Sequence, residues 1–122
     1  MYTTQYMEFG KYIRDRREAL RKENSEYSLR KVALSLGVEP SYLSKIERGE
    51  QPPPSEALII GLAEVLNEDR DILLALGGKV SSDLKDAIMK RPQLFASLLR
   101  EMKDIPDHSI LRIVREIRDG EW

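Results

Sequence analysis

The sequence predicts an all-α protein, and three observations carry that expectation. Apolar residues recur at three- and four-residue spacing along most of the chain, and no stretch alternates apolar with polar residues as a half-buried strand would. Helix-opening residues (Ser28, Pro40, Ser55 and Pro92) stand at the starts of those periodic stretches. Gly37 and Gly49 stand just past the ends of two of them, where a left-handed C-terminal residue belongs.

Taken in order, Phe9, Tyr12, Ile13, Ala19 and Leu20 mark a first helix over Met7–Lys22, followed by a polar stretch from Glu23 to Tyr27. Ser28 is placed to cap a short second helix whose Leu29, Val32, Ala33 and Leu36 share one face. Pro40 fits the first turn of a third helix with Leu43 and Ile46 turned inward. Pro52-Pro53-Pro54 is a stiff link. Ser55 then caps a fourth helix, the most apolar, carrying Leu58, Ile59, Leu62, Ala63, Val65 and Leu66. Asp69 or Asp71 opens a fifth, with Ile72, Leu73 and Leu76. Gly77-Gly78 is the clearest boundary, dividing a domain at 7–76 from a helical C-terminal region at 79–122.

Composition narrows the function. A 122-residue chain with 41% hydrophobic content can bury a core in a small domain plus a helical extension. There is no cysteine, which excludes disulfides and thiolate metal sites and agrees with a reducing compartment. A single histidine, His108, argues against an imidazole metal cage or a Ser-His-Asp triad, and is expected at the surface. Asp83, Asp86, Asp104 and Asp107 fit a solvated surface better than a metal site, so no cofactor and no enzyme activity is expected. The first ten residues lack the basic and apolar regions of a signal peptide. The most apolar stretch, Leu58–Ala63, is far shorter than the roughly 20 residues a bilayer requires. The expectation is a cytoplasmic protein with no membrane partner.

The net charge of −1 does not suggest nucleic acid; its distribution is more informative, but on charge alone a solvated helix surface is the preferred reading. From Lys11 to Arg48 ten basic residues stand against six acidic ones. Such a local positive face can engage phosphates, although mixed charges that merely solvate helix surfaces give the same count.

The functional signal lies at Ser28–Gly49. Two short helices joined by a tight glycine turn can lay the second helix in a DNA major groove while the first braces it across the backbone. The arrangement requires a small residue where the helices cross, and Ala33 supplies it. Four positions later it requires a residue tolerant of positive φ, and Gly37 supplies that. Val38, Leu43 and Ile46 provide the inward apolar side.

The run SLRKVALSLGVEPSYLSKIERG resembles the Xre/Cro-like phage-repressor helix-turn-helix family of transcriptional regulators, with the likeness extending from about Phe9 to Leu76. The resemblance implies a five-helix repressor-type DNA-binding domain and double-stranded DNA as partner. By position it implies that Pro40, Ser41, Tyr42, Ser44 and Lys45 face base edges. Lys45 would donate to guanine, the serines would donate or accept, and Tyr42 would meet a thymine methyl or a phosphate. Arg30 and Arg48 would contact phosphates, which set register rather than sequence. Arg17 and Glu47 resemble a family pair that ties the first helix to the third by an internal salt bridge. Glu39 would either cap the third helix or reject bases that lack a donor.

Three features depart from the family pattern. Leu29 stands where glutamine is frequent, Glu50-Gln51-Pro52 replaces a loop that is often basic, and the linker Arg21–Tyr27 is long. The first two predict weaker phosphate binding.

Beyond Gly78, three further amphipathic segments are expected: one at Leu84, Ala87 and Ile88, one at Leu94–Met102, and one at Ile110–Ile117. Their stripes are too broad for isolated helices and must pack on the first domain, on each other or on a second subunit. A homodimer held by Leu94, Phe95, Leu98, Leu99, Met102, Ile110, Val114 and Ile117 is expected, because regulators of this type pair to read two half-sites. Trp122 either docks on a partner chain or is a loose end, the second being preferred. The favoured function is a homodimeric repressor reading an inverted repeat. The alternative is an antitoxin whose tail neutralises a toxin while the first domain autoregulates its operon. The layout also resembles repressors inactivated by a partner metallopeptidase.

Overall fold

A computed structural model describes residues 4–120, and these divide into two compact units at Ser81/Ser82. Trp122 lies outside the described residues. The described residues form helices and turns and contain no strand.

The first unit holds α1 (Thr4–Arg21), a 3-10 turn (Ser25–Tyr27), α2 (Leu29–Leu36), α3 (Pro40–Glu47), α4 (Glu56–Leu66) and α5 (Arg70–Leu76). The helices start and stop for local chemical reasons. The Ser28 hydroxyl accepts from the Lys31 N–H at 3.2 Å to open α2, and Ser55 does the same for Leu58 at 3.3 Å to open α4. Asp69, rather than Asp71, opens α5, accepting from the N–H groups of Asp71 and Ile72. At the end of α2, Gly37 has φ 72°, and the N–H groups of Gly37 and Val38 return to the carbonyls of Leu34 and Ala33 at 3.1 and 3.0 Å. This closure satisfies two carbonyls that would otherwise be orphaned and turns the chain into α3.

The core gathers residues from all five helices: Phe9 and Ile13 of α1, Val32 and Ala33 of α2, Leu43 and Ile46 of α3, Ile59, Leu62, Ala63 and Leu66 of α4, and Leu73 and Leu74 of α5. α3 packs against both α1 and α2. The α1–α3 approach depends on Gly10, where an added Cβ would lie 2.2 Å from the Ile46 carbonyl oxygen.

Several expectations are corrected. α1 begins at Thr4, one turn before Met7, and ends at Arg21. Tyr12 and Ala19 are exposed: α1 covers the core along the narrower line of Phe9, Gly10, Ile13 and Arg17. In α5 it is Leu74 that is buried beside Leu73, and Ile72 is 57% exposed. A seven-residue helix has room for one buried edge, and packing against α4 and α1 selects the edge that carries Leu73 and Leu74.

The second unit holds α6 (Ser82–Lys90), α7 (Pro92–Met102) and α8 (Asp107–Asp119). All three helices are amphipathic, and none of their residues is buried. Phe95, Met102, Ile110 and Ile113 are half-covered within the unit, while Leu94, Leu98, Leu99, Leu111, Val114 and Ile117 are exposed.

Candidate nucleic-acid interface

The surface is built around α3. Its inner side is fixed by Leu43 and Ile46, both essentially inaccessible, and by Ala33, whose small side chain lets α2 cross closely. Pro40 sits in the first turn, where a missing N–H costs nothing. With the inner side fixed, helical geometry sends Ser41, Lys45 and Arg48 outward, and all three are exposed.

A second constraint comes from below. The Arg17 guanidinium grips Glu47 in a two-point contact, with Nε to Oε2 at 2.7 Å and Nη2 to Oε1 at 2.9 Å. Both side chains are 5% exposed. The remaining Arg17 donors reach the Tyr27 carbonyl at 3.1 Å and the Glu18 carboxylate at 3.1 Å. A planar fork donating these four hydrogen bonds holds α1, α3 and the linker in one geometry. The Glu47 hydrogen bonds raise the Arg17 pKa above its ordinary value, outweighing the opposing effect of burial. The long linker has a use here. It turns back through the Asn24 side chain, which accepts from the Glu26 N–H at 3.0 Å, and so delivers the Tyr27 carbonyl to Arg17.

The remaining candidates fall in different settings. Arg30 is exposed and lines a hollow of about 500 Å³ with Leu34, Val38, Glu39 and Pro40. Glu39 occupies the cap position of α3 but its side chain makes no capping hydrogen bond, so the capping alternative fails in this structure. Ser44 is half-buried. Tyr42 is also half-buried, with its ring packed against the core, so part of that side chain anchors α3. Arg48 is engaged by Glu50, with Nε to Oε2 at 2.9 Å, which lowers the local positive charge. Among the described residues, Lys45 and Arg30 form no ion pair.

Two cations were not singled out from the sequence. Arg14 and Arg21 line a cleft of about 260 Å³ together with Leu29, Ser44 and Arg48. The signal was available: positions 14, 17 and 21 fall on one column of α1, with the buried Arg17 between them. The cleft places guanidinium groups from α1 beside the end of α3, at the place where Leu29 replaces the glutamine of the resemblance. Glu18 and Glu47 line the same cleft, with Glu47 held by Arg17 and Glu18 3.6 Å from the Arg21 guanidinium, so the cleft is of mixed charge with cations in excess.

Among the described residues, no helix is long and apolar enough to cross a membrane. No three His, Cys, Asp or Glu side chains among them converge on a point that could hold a metal ion. A family model described as "Helix-turn-helix domain" matches residues 8–76, more than half the chain. Neither a curated protein nor a solved structure matches. The matched residues run from the helix carrying Arg17 to the last helix of the first unit, and so enclose the braced α3 and its outward face. The chain belongs to the helix-turn-helix domain family and is a DNA-binding regulator.

Proposed function

We propose that this regulator is a homodimeric repressor that reads an inverted repeat, with half-sites about one helical turn apart. The observation that carries the reading is the outward face of α3. A helix locked from beneath by a buried ion pair presents Lys45, a cation with no counter-charge among the described residues, beside the exposed Ser41. In this reading Lys45 donates to guanine O6 and N7, Ser41 and Ser44 adjust to either partner, and Pro40 and Tyr42 supply apolar contact at the groove wall. Arg30 and Arg48 take phosphates, joined by Arg14 and Arg21 from α1. Arg48 exchanges its Glu50 contact for phosphate on binding. The reading assigns the chain no catalysis and no cofactor.

One α3 reads only a few base pairs, so pairing of two copies raises both affinity and specificity. The unburied apolar faces of α7 and α8 support pairing through the second unit. The same faces, Leu94, Leu98 and Leu99 above all, also favour an antitoxin whose tail takes a toxin. The two readings part in the pure protein: a tail that self-associates has its apolar surface occupied, and a tail reserved for a toxin leaves it open.

Selection of bound sites from random duplex DNA with the full chain tests the proposal. Two-fold symmetric sites are expected, and asymmetric single half-sites would remove the dimer. Lys45→Ala should then cost about 1–3 kcal/mol on the preferred site and relax one base position in each half. If affinity and preference are both unchanged, the assignment of α3 as the base-reading surface fails.

A further inference from the structure

We propose that Glu50 is a built-in competitor for the DNA phosphate that Arg48 takes, and that it thereby lowers the affinity of the domain for duplexes of every sequence. The inference rests on the phosphate role of Arg48 in the reading above and adds what restrains it.

The backbone that carries Glu50 is fixed. Arg48 follows the last residue of α3, and its N–H returns to the Ser44 carbonyl at 3.0 Å. Gly49 is buried and takes φ 76°, where a side chain would be strained and would meet Met7 at 2.9 Å. From this left-handed residue the Gly49 N–H returns to the Ile46 carbonyl at 3.0 Å and the Glu50 N–H to that of Lys45 at 2.8 Å. Beyond Gln51 three prolines follow, of which Pro54 is buried. Glu50 therefore has a set position two residues past Arg48, held on both sides. Its carboxylate lies 2.9 Å from Arg48 Nε, and its side chain is 30% exposed against 52% for Arg48.

The cations of this surface are not held equally. Among the described residues Arg14 forms no ion pair. Arg21 is 3.6 Å from a Glu18 carboxylate that also accepts from Arg17. The Arg48 contact is shorter, and its carboxylate pairs with no other cation among the described residues. A phosphate approaching Arg48 has two routes. It displaces Glu50, which loses the ion pair, or it takes another edge of the guanidinium, which brings two anions onto one cation. Either route costs affinity, and neither depends on the bases, because phosphate contacts carry no sequence information. The loop offers little in return: the Glu50 N–H is already engaged, and Pro52, Pro53 and Pro54 have none to donate.

The test is a double-mutant cycle in the full chain. Binding is read by fluorescence anisotropy with a random-sequence duplex and with the selected site, at physiological salt, where charges more than about 8 Å apart are largely screened. Glu50→Gln keeps the shape of the side chain and the backbone hydrogen bonds of the turn. It should tighten binding to both duplexes by the same factor, about two- to fivefold. In an Arg48→Ala background most of that gain should disappear, and in an Arg14→Ala background it should remain. A gain as large without Arg48 as with it would make Glu50 a general repeller of DNA and overturn the competition. Unchanged binding by Glu50→Gln would overturn it too, as would a gain confined to the selected site, which would move Glu50 to a base edge. Arg48→Ala with undiminished affinity would remove the phosphate role of Arg48 and the inference with it. A parent chain that binds neither duplex would overturn the DNA reading and the inference together.

Discussion

In α4 the periodic residues Ile59, Leu62, Ala63 and Leu66 are all buried, whereas in α7 the equally periodic Leu94, Leu98 and Leu99 are all exposed. The two helices have the same length and comparable apolar spacing. What differs is the surroundings: α4 packs against α1, α2 and α5, whereas α7 packs on α6, half-covering Phe95 and Met102 and leaving these leucines exposed. Hydrophobic periodicity therefore specifies which face of a helix seeks cover, and tertiary structure specifies what supplies it. The fully buried apolar side chains lie in the first unit, around the braced α3, and the second unit keeps large apolar side chains exposed.

The contrast can be broken or sharpened by substitution. The largest effect is expected for Arg17→Ala, which strands Glu47 as an uncompensated buried charge. A loss of about 3–5 kcal/mol in denaturant unfolding is expected, with base preference retained by whatever remains folded. A change in base preference without loss of stability would place Arg17 on the DNA surface instead.

Leu62→Ala should cost about 2–5 kcal/mol through the cavity left at a site only 1% exposed. Leu99→Ala, made at a site 55% exposed, should change unfolding of the dilute chain by less than about 0.5 kcal/mol while weakening self-association. Equal costs for the two would mean that the second unit has a closed core. A smaller effect is expected for Arg48→Ala, which should weaken all DNA sequences alike and reduce the salt slope of binding by about one unit.

The smallest effect concerns pH. Tyr12 has its pKa raised, first by partial burial and then by the charge and hydrogen bond of Glu68. The folded chain thus keeps the phenolic proton to higher pH than the unfolded chain does. The contribution is intact below the ordinary tyrosine pKa of about 10 and is lost as pH rises through the folded value. Stability measured above pH ~10 should decline less steeply in Tyr12→Phe than in the parent chain.

Much of the site was legible in residues 28–49. Ser28, Ala33, Gly37 and Pro40 are local determinants: a cap, a close crossing, a left-handed turn and a first-turn proline each act within a few residues. The fork of Arg17 on Glu47 was legible only through the family resemblance, because nothing local links positions thirty apart. Gly10 carried no sequence signal at all: its role is the approach of a distant carbonyl, that of Ile46. The engagement of Arg48 by Glu50 was equally hidden, since a loop's charge does not reveal where its side chains turn.

The sequence by itself determined the helical class, the ends of α2 and α3, and the outward set of Ser41, Lys45 and Arg48. These follow from helical period and short-range hydrogen bonding, which act within a turn or two of chain. Only the tertiary structure decided that Leu74 is buried while Ile72 is not, that Tyr42 divides itself between core and surface, and that Arg14 and Arg21 border a cleft beside α3. Those outcomes depend on which helices come into contact, and burial is a property of the neighbours that a side chain meets, not of its own chemistry.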